Sequence, residues 1–318
     1  MSHKFLAIAS LLLLSLTASA KASSDDVYKT IFNAVDQSHL QQLLKDTTGY
    51  NSVTVKGETF SITERYSPAA KANFRKYWIS YFQSLGMTAT EQSFPTSHRQ
   101  GESDGHNVEA ILPGKSADSI VIIVHYDSIG PNGPDNPGVD DDMSGMAMLM
   151  ETARILSQYK NQLQHTVRFV AADYEEEGGL EGARNYAKYI SALATQNNFK
   201  IVSAIDDEQS GWNEGQSDTF DVFSCGGATD STAIGDLLVD TATKYSQMKT
   251  TRSCMGENSD HYAMWEIGVP AVVFSEHDPF NNPHFDAEGG DTYDKIDQEY
   301  FFHIAQVGVT FAARVVGL

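Results

Sequence analysis

From position 107 onward, short apolar runs alternate with segments whose apolar residues recur every three or four positions. Residues 107–112 read as a strand closed by Pro113 and Gly114. The run 120–124 (Ile-Val-Ile-Ile-Val) has no polar alternation, the mark of a strand buried on both faces. Helical spacing follows over 144–159, then a strand over 166–171, a helix over 180–190 and strands over 199–205 and 220–223. A helix over 231–245, a buried strand over 270–274 and a helix over 298–315 complete the pattern. Upstream, 25–44 carries Val27, Ile31, Val35, Leu40, Leu43 and Leu44 at helical spacing, as one helix. Ser67-Pro68 opens a second helix, which runs through Phe74, Tyr77, Trp78, Tyr81 and Phe82 to Gly86 and turns its aromatic face to the core. Alternation of this kind predicts an α/β/α sandwich with a mostly parallel, mixed central sheet flanked by helices.

The first residues fall outside this pattern. Lys4, an apolar run from Phe5 to Leu16 and the small residues Ala18-Ser19-Ala20 have the layout of a secretory signal, with cleavage expected near Ala20–Ala22. The apolar run is too short to span a bilayer. Residues 1–22 are therefore set apart from a single domain over 23–318. No Gly/Ser/Pro-rich linker or repeat divides that domain, and a secreted or periplasmic monomer is expected. The formal net charge of −20 argues against nucleic acid or an anionic membrane as partner. Cys225 and Cys254 are the chain's two cysteines; in an oxidising compartment they suggest one disulfide, the alternative being two buried thiols.

Chemistry-bearing residues collect where strands should run into loops, the position active sites occupy in such sheets. His125-Tyr126-Asp127-Ser128 ends the most apolar strand; a metal-bound imidazole commonly gives its other N–H to a carboxylate, and Asp127 suits that role. Asp140-Asp141-Asp142 precedes Ser144-Gly145 and the apolar start of a helix, so a carboxylate there can bridge two cations. Glu175-Glu176-Glu177 precedes Gly178-Gly179, where the backbone must turn and adjacent carboxylates diverge: one can hold metal while its neighbour handles protons. Asp206-Asp207-Glu208 follows a buried strand and needs partners. His284 lies in an Asn/Pro/Gly-rich loop, with Asp291 downstream as a candidate orienting carboxylate. Imidazoles and carboxylates gathered from separate strands form the ligand set of a zinc pair.

In combination these motifs resemble the co-catalytic dizinc aminopeptidase family typified by the secreted bacterial leucyl aminopeptidase, over roughly position 35 to the end of the chain. The motifs are His125-Tyr126-Asp127-Ser128, the run from Pro137-Gly138 through Asp141-Asp142 to Ser144-Gly145, Glu176-Glu177-Gly178-Gly179-Leu180-Glu181-Gly182, Glu208, Ser259-Asp260-His261 and His284. The resemblance implies Asp141 as the bridging ligand, followed by a cis peptide to Asp142. His125 and Glu208 would complete one Zn²⁺, and Glu177 and His284 the other. Glu176 would be the general base and Asp127 the orienting carboxylate. Three carboxylates, two divalent cations and a bridging hydroxide then balance in charge. The implied activity is hydrolysis of the N-terminal bond of peptides or proteins by that hydroxide.

The chain departs from the family in three places. Glu208 stands where Asp is usual, with Asp206 and Asp207 as alternatives. Extra residues separate His284 from Asp291-Thr292, with His277 as the fallback ligand. Asn258 replaces the second cysteine of the family's Cys-x-x-x-Cys, which makes Cys225 the partner of Cys254. A single-zinc glutaminyl cyclase and a non-catalytic binding relative are the competing readings.

Overall fold

The apolar run in the middle of the chain is divided between two cores. In β5 (Ser116–His125), Ile120, Ile122 and Val124 enter one apolar cluster, while Val121 and Ile123 enter the other. Successive strand side chains point to opposite faces, so covering both faces requires an unbroken apolar run. The computed structural model describes residues 23–96, 104–129, 137–177, 179–213, 215, 218–225, 229–254, 258–284 and 290–318. The signal-like segment 1–22, the proline- and glycine-rich stretch 130–136, Gly178 and residues 285–289 lie outside them.

β5 sits in an eight-stranded mixed sheet. Its order is β3 (Thr88–Pro95), β4 (Asp104–Leu112), β6 (His165–Ala172), β5, β7 (Ile201–Glu208), β10 (Ala271–Glu276), β8 (Thr219–Phe223) and β9 (Lys249–Ser253). The inner strands β6, β5, β7 and β10 run parallel. β4 pairs antiparallel with both β6 and β3, and β8 antiparallel with β10. His125, the loop after Ala172, Glu208 and Glu276 therefore emerge on one edge of the sheet.

Helices cover both faces, as the alternation predicts. One face carries α4 (Met143–Ser157) and α8 (Gln298–Val315), with α6 (Thr232–Tyr245) against α8. The other carries α5 (Glu181–Asn197) and the short α7 (His261–Glu266). α4 is buried nearly all round, which explains why its sequence is apolar without a polar stripe. α3 (Pro68–Ser84) starts at Pro68, and the Ser67 hydroxyl caps it by accepting from the Ala70 N–H. Its Phe74, Trp78 and Phe82 are fully buried; truncating such a ring to alanine costs about 3–5 kcal/mol.

Several elements differ from the pattern reading. The segment 25–44 is two helices, α1 (Ser24–Ala34) and α2 (Gln37–Thr47), because the Asp36 carboxylate accepts from the N–H groups of Ser38 and His39 and starts a new helix. The hairpin β1 (Ser52–Val55) and β2 (Glu58–Ser61), the edge strands β3 and β9, and α7 lie outside the elements that the pattern predicts. They are short or polar, as edges tend to be. Cys225 and Cys254 are bonded, Cα to Cα 4.4 Å, and tie the ends of β8 and β9 together.

Candidate active site

The last residue of β5 begins the site. His125 is fully buried; its Nδ1 lies 3.1 Å from the Asp127 carbonyl oxygen and its Nε2 3.0 Å from Asp141 Oδ1. The Glu208 Oε1, at the end of the neighbouring strand β7, is 3.6 Å from the same Nε2. Each of His125, Asp141 and Glu208 thus offers a ligand atom within 4.8 Å of the others. Of the three acids that end β7, Glu208 is the one in this group. Asp206 accepts from Ser259 Oγ (2.8 Å) and the His261 N–H (2.9 Å), and Asp207 from Ser210 Oγ (2.7 Å).

Asp141 stands in a loop held from several directions. The peptide between Asp141 and Asp142 is cis. Asp142 caps α4 by accepting from the Gly145 N–H at 3.0 Å. A Cβ at Gly145 would stand 2.2 Å from the Asp207 carbonyl oxygen, so only glycine lets α4 begin this close to β7. The fully buried Arg65 donates to the Tyr126, Pro137 and Gly138 carbonyls at 2.7, 2.5 and 2.8 Å; burial lowers its pKa to about 10. The Asp291 carboxylate accepts from the backbone N–H groups of Asp140 and Asp141 at 2.8–2.9 Å.

Asp127 meets the site through both its side chain and its backbone. Its carboxylate lies 3.7 Å from the His125 Nδ1 as an ion pair, and its backbone carbonyl oxygen is 3.1 Å from the same nitrogen. The carboxylate also accepts from the N–H groups of Glu175 and Glu176, at 3.1 and 3.2 Å. Asp127 therefore fixes the loop that carries Glu176. Lys71, wholly buried in α3, supports the same loop through Asp173 at 3.1 Å.

Carboxylates crowd this edge beyond what nearby side chains neutralise. Among the described residues, Glu176 Oε1, Asp142 Oδ2 and both oxygens of Asp260 are enclosed with no hydrogen-bond partner. Burial, then the Asp141 charge, pushes Glu176 well above the usual glutamate range. Burial, then Asp206, does the same to Asp260. Buried acids arranged so as to repel one another fit a site that takes up divalent cations. His125, Asp141 and Glu208 supply the N/O donor set that zinc accepts.

Beside these residues lies a cavity of about 220 Å³. Asp141, Glu176 and Glu208 form its polar end; Phe223, Val273 and Phe280 form an apolar wall. Glu177 and His284 are outside the close group of three. His284 is half-buried, its N–H donates to Asn282 Oδ1 at 2.9 Å, and it lines an open groove with Trp212 and Asp294. The fallback, His277, pairs with Asp221 at 2.9 Å.

Sequence reasoning did not find Gln209, whose amide reaches Asp141, nor Arg65 and Lys71. A cation at one helical or loop position carries no pattern, and its burial is a tertiary fact. Asp260 had a signal in Ser259-Asp260-His261 but no assigned role.

Residues 107–312 match the peptidase family M28, and the chain belongs to that family. Leucine aminopeptidase 1 of Trichophyton equinum is 27% identical over 222 residues, 66% of this chain and 58% of that protein. Leucine aminopeptidase 1 of Arthroderma gypseum is 28% identical over 213 residues, 63% and 54% respectively. The chain thus spans less than two thirds of the length of these relatives. Among solved structures, the LapA aminopeptidase of Legionella pneumophila superposes with a TM-score of 0.74 at 18% identity, covering 94% of this chain and 76% of that one. BSAP, a zinc aminopeptidase from Bacillus subtilis, gives 0.70 at 14%, covering 89% and 95%. The glutaminyl cyclase of Macrostomum lignano gives 0.71 at 17%, covering 95% and 96%. At these identities the superpositions establish a shared fold.

Proposed function

We propose that this protein is a secreted zinc-dependent aminopeptidase that removes residues from the free N-termini of peptides. The observation that carries the proposal is the gathering of His125, Asp141 and Glu208 beside Glu176, at the polar end of a cavity with an apolar wall. His125, Asp141 and Glu208 would hold one Zn²⁺; Asp141, Glu177 and His284 would hold the second. When bound, the two cations supply Lewis-acid polarisation of the scissile carbonyl and lower the pKa of water. Membership of the M28 family and the aminopeptidase relatives support this reading.

The chain's own residues divide the remaining work. Glu176, its carboxylate enclosed and its affinity for protons raised, takes the proton of the attacking water and delivers it to the leaving amine. Asp127 keeps Glu176 in place through the two loop N–H groups. The wall of Phe223, Val273 and Phe280 receives an apolar side chain at the substrate's N-terminus and keeps water from it. Residues 1–22 direct export and are removed, and the mature protein acts as a monomer. No helix among the described residues is long and apolar enough to cross a membrane.

The test is a panel of Leu-, Ala- and Lys-terminated peptides, each with a free and an N-acetylated amine, cleaved by zinc-loaded protein and by Glu176→Gln. Free amines with apolar first residues should be cleaved fastest and acetylated ones spared. Glu176→Gln should keep its zinc and fold while losing about 10³-fold in kcat. Release of C-terminal residues, or a Glu176→Gln variant of undiminished kcat, would sink the proposal. The cyclase reading has one concrete support, that the close group of three suits a single cation. One zinc per chain together with cyclisation of an N-terminal glutamine would establish it instead.

A further inference from the structure

Gln209 directly follows Glu208 at the end of β7 and lines the same cavity. Its backbone is left-handed, φ +47°, unusual for a residue other than glycine. Hydrogen bonds hold it there. Its N–H points at Asp142 Oδ1 (3.3 Å), and its carbonyl accepts from the Glu276 N–H (2.7 Å) and Ser275 Oγ (3.2 Å). Thus clamped, the buried side chain turns back across the site, and its Nε2 donates to Asp141 Oδ2 at 2.9 Å.

The two oxygens of Asp141 consequently meet different chemistry. Oδ1 faces His125 and stands in the group with Glu208. Oδ2 accepts an amide proton that cannot be released at any working pH, because a glutamine amide does not ionise. A donor at a carboxylate oxygen withdraws charge from it and occupies a direction from which a cation would approach. A cation held on Oδ2 must compete with that amide, which cannot itself become a ligand in its donor form, whereas one held on Oδ1 meets His125 Nε2, itself a ligand atom of the same group.

We propose that Gln209 is a positioning residue that makes the two cation positions unequal. The position built from His125, Asp141 Oδ1 and Glu208 fills first. The position on Asp141 Oδ2 fills second, about tenfold more weakly than it would without the amide, the size of one hydrogen bond to a charged group. The inference rests on the two-cation reading given above.

The experiment is a zinc titration of chelator-treated full-length protein, followed by calorimetry and by zinc counted after equilibrium dialysis. It is run on the wild type, on Gln209→Met and on Gln209→Asn. Methionine keeps the length without the donor. Asparagine suits a left-handed backbone and is too short to reach Asp141. The wild type should show two unequal steps. Both variants should leave the first step within about twofold and tighten the second about tenfold. The first step serves as the internal control for an intact rim; a variant that loses it is set aside and the other decides. A second step that is unchanged or weaker behind an unchanged first step in either variant overturns the inference, the weaker outcome meaning that the amide merely orients the carboxylate. A single zinc in all three proteins defeats the two-cation reading, and the inference with it.

Discussion

Two of the regions that bury carboxylates treat them in opposite ways. At the seam between α2 and α4, the wholly buried Glu151 side chain accepts from the Asp36 N–H (2.9 Å) and Arg154 Nε (2.7 Å) and pairs with His39 Nδ1 (2.6 Å). Burial raises its proton affinity, but Arg154 and His39 outweigh burial, and its pKa ends below the ordinary glutamate value. At the strand edge, Glu176, Asp142 and Asp260 have enclosed oxygens without partners among the described residues, and their proton affinities end well above the ordinary range. The first arrangement is complete as protein alone and joins the N-terminal helices to the core. The second is complete only with added positive charge. A buried acid with its counter-charge supplied by the chain is architecture; several without it mark a place where the chain expects cations or a cationic substrate group.

Three measurements bear on that contrast. The largest effect is expected for Glu151→Gln, which leaves Arg154 facing a neutral group inside the seam. It should lower unfolding stability in urea by about 3 kcal/mol without changing bound zinc; a change below about 0.5 kcal/mol would show that the seam is not held by charge. Next, zinc at about 100 times its Kd should stabilise the wild type by about 2.7 kcal/mol, since rim acids that repel one another favour cation uptake by the folded state only. Equal thermal midpoints with and without zinc would remove the distinction between the two regions. The smallest effect is acid-dependent. Because the Glu151 pKa is depressed on folding, its stabilisation is present above the ordinary glutamate value and is lost as pH falls through the folded one. Wild-type stability should therefore decline more steeply in acid than that of Glu151→Gln; parallel slopes would assign the acid transition to other groups.

Much of the architecture was legible because it follows from periodicity. β5 announced itself as a doubly covered strand, and α8 occupies the span its spacing predicted, Gln298–Val315. The capping of α3 by Ser67 before Pro68 was equally local. The break between α1 and α2 was not, because Val35 and Asp36 fit the helical spacing, and the Asp36 cap that separates the helices shows only in the backbone. At the site, strand-end position picked out His125 and the run Asp206-Asp207-Glu208, helix-start position picked out Asp141, and only the family resemblance preferred Glu208 within its run. None of these signals could reveal that the Asp127 side chain also serves the Glu176 loop, or that its carbonyl faces His125.

By itself the sequence determined which side chains of ligand and acid–base type stand at the ends of buried strands, because alternation and apolar runs set the strand ends. The tertiary structure alone decided which of Asp206, Asp207 and Glu208 faces His125, that Asp291 serves the backbone of the Asp141 loop, and that Gln209 reaches Asp141 Oδ2. Adjacent side chains on a strand point to opposite faces, and a loop hydrogen bond joins residues far apart along the chain. Both choices depend on register and on packing between elements, which no local pattern encodes.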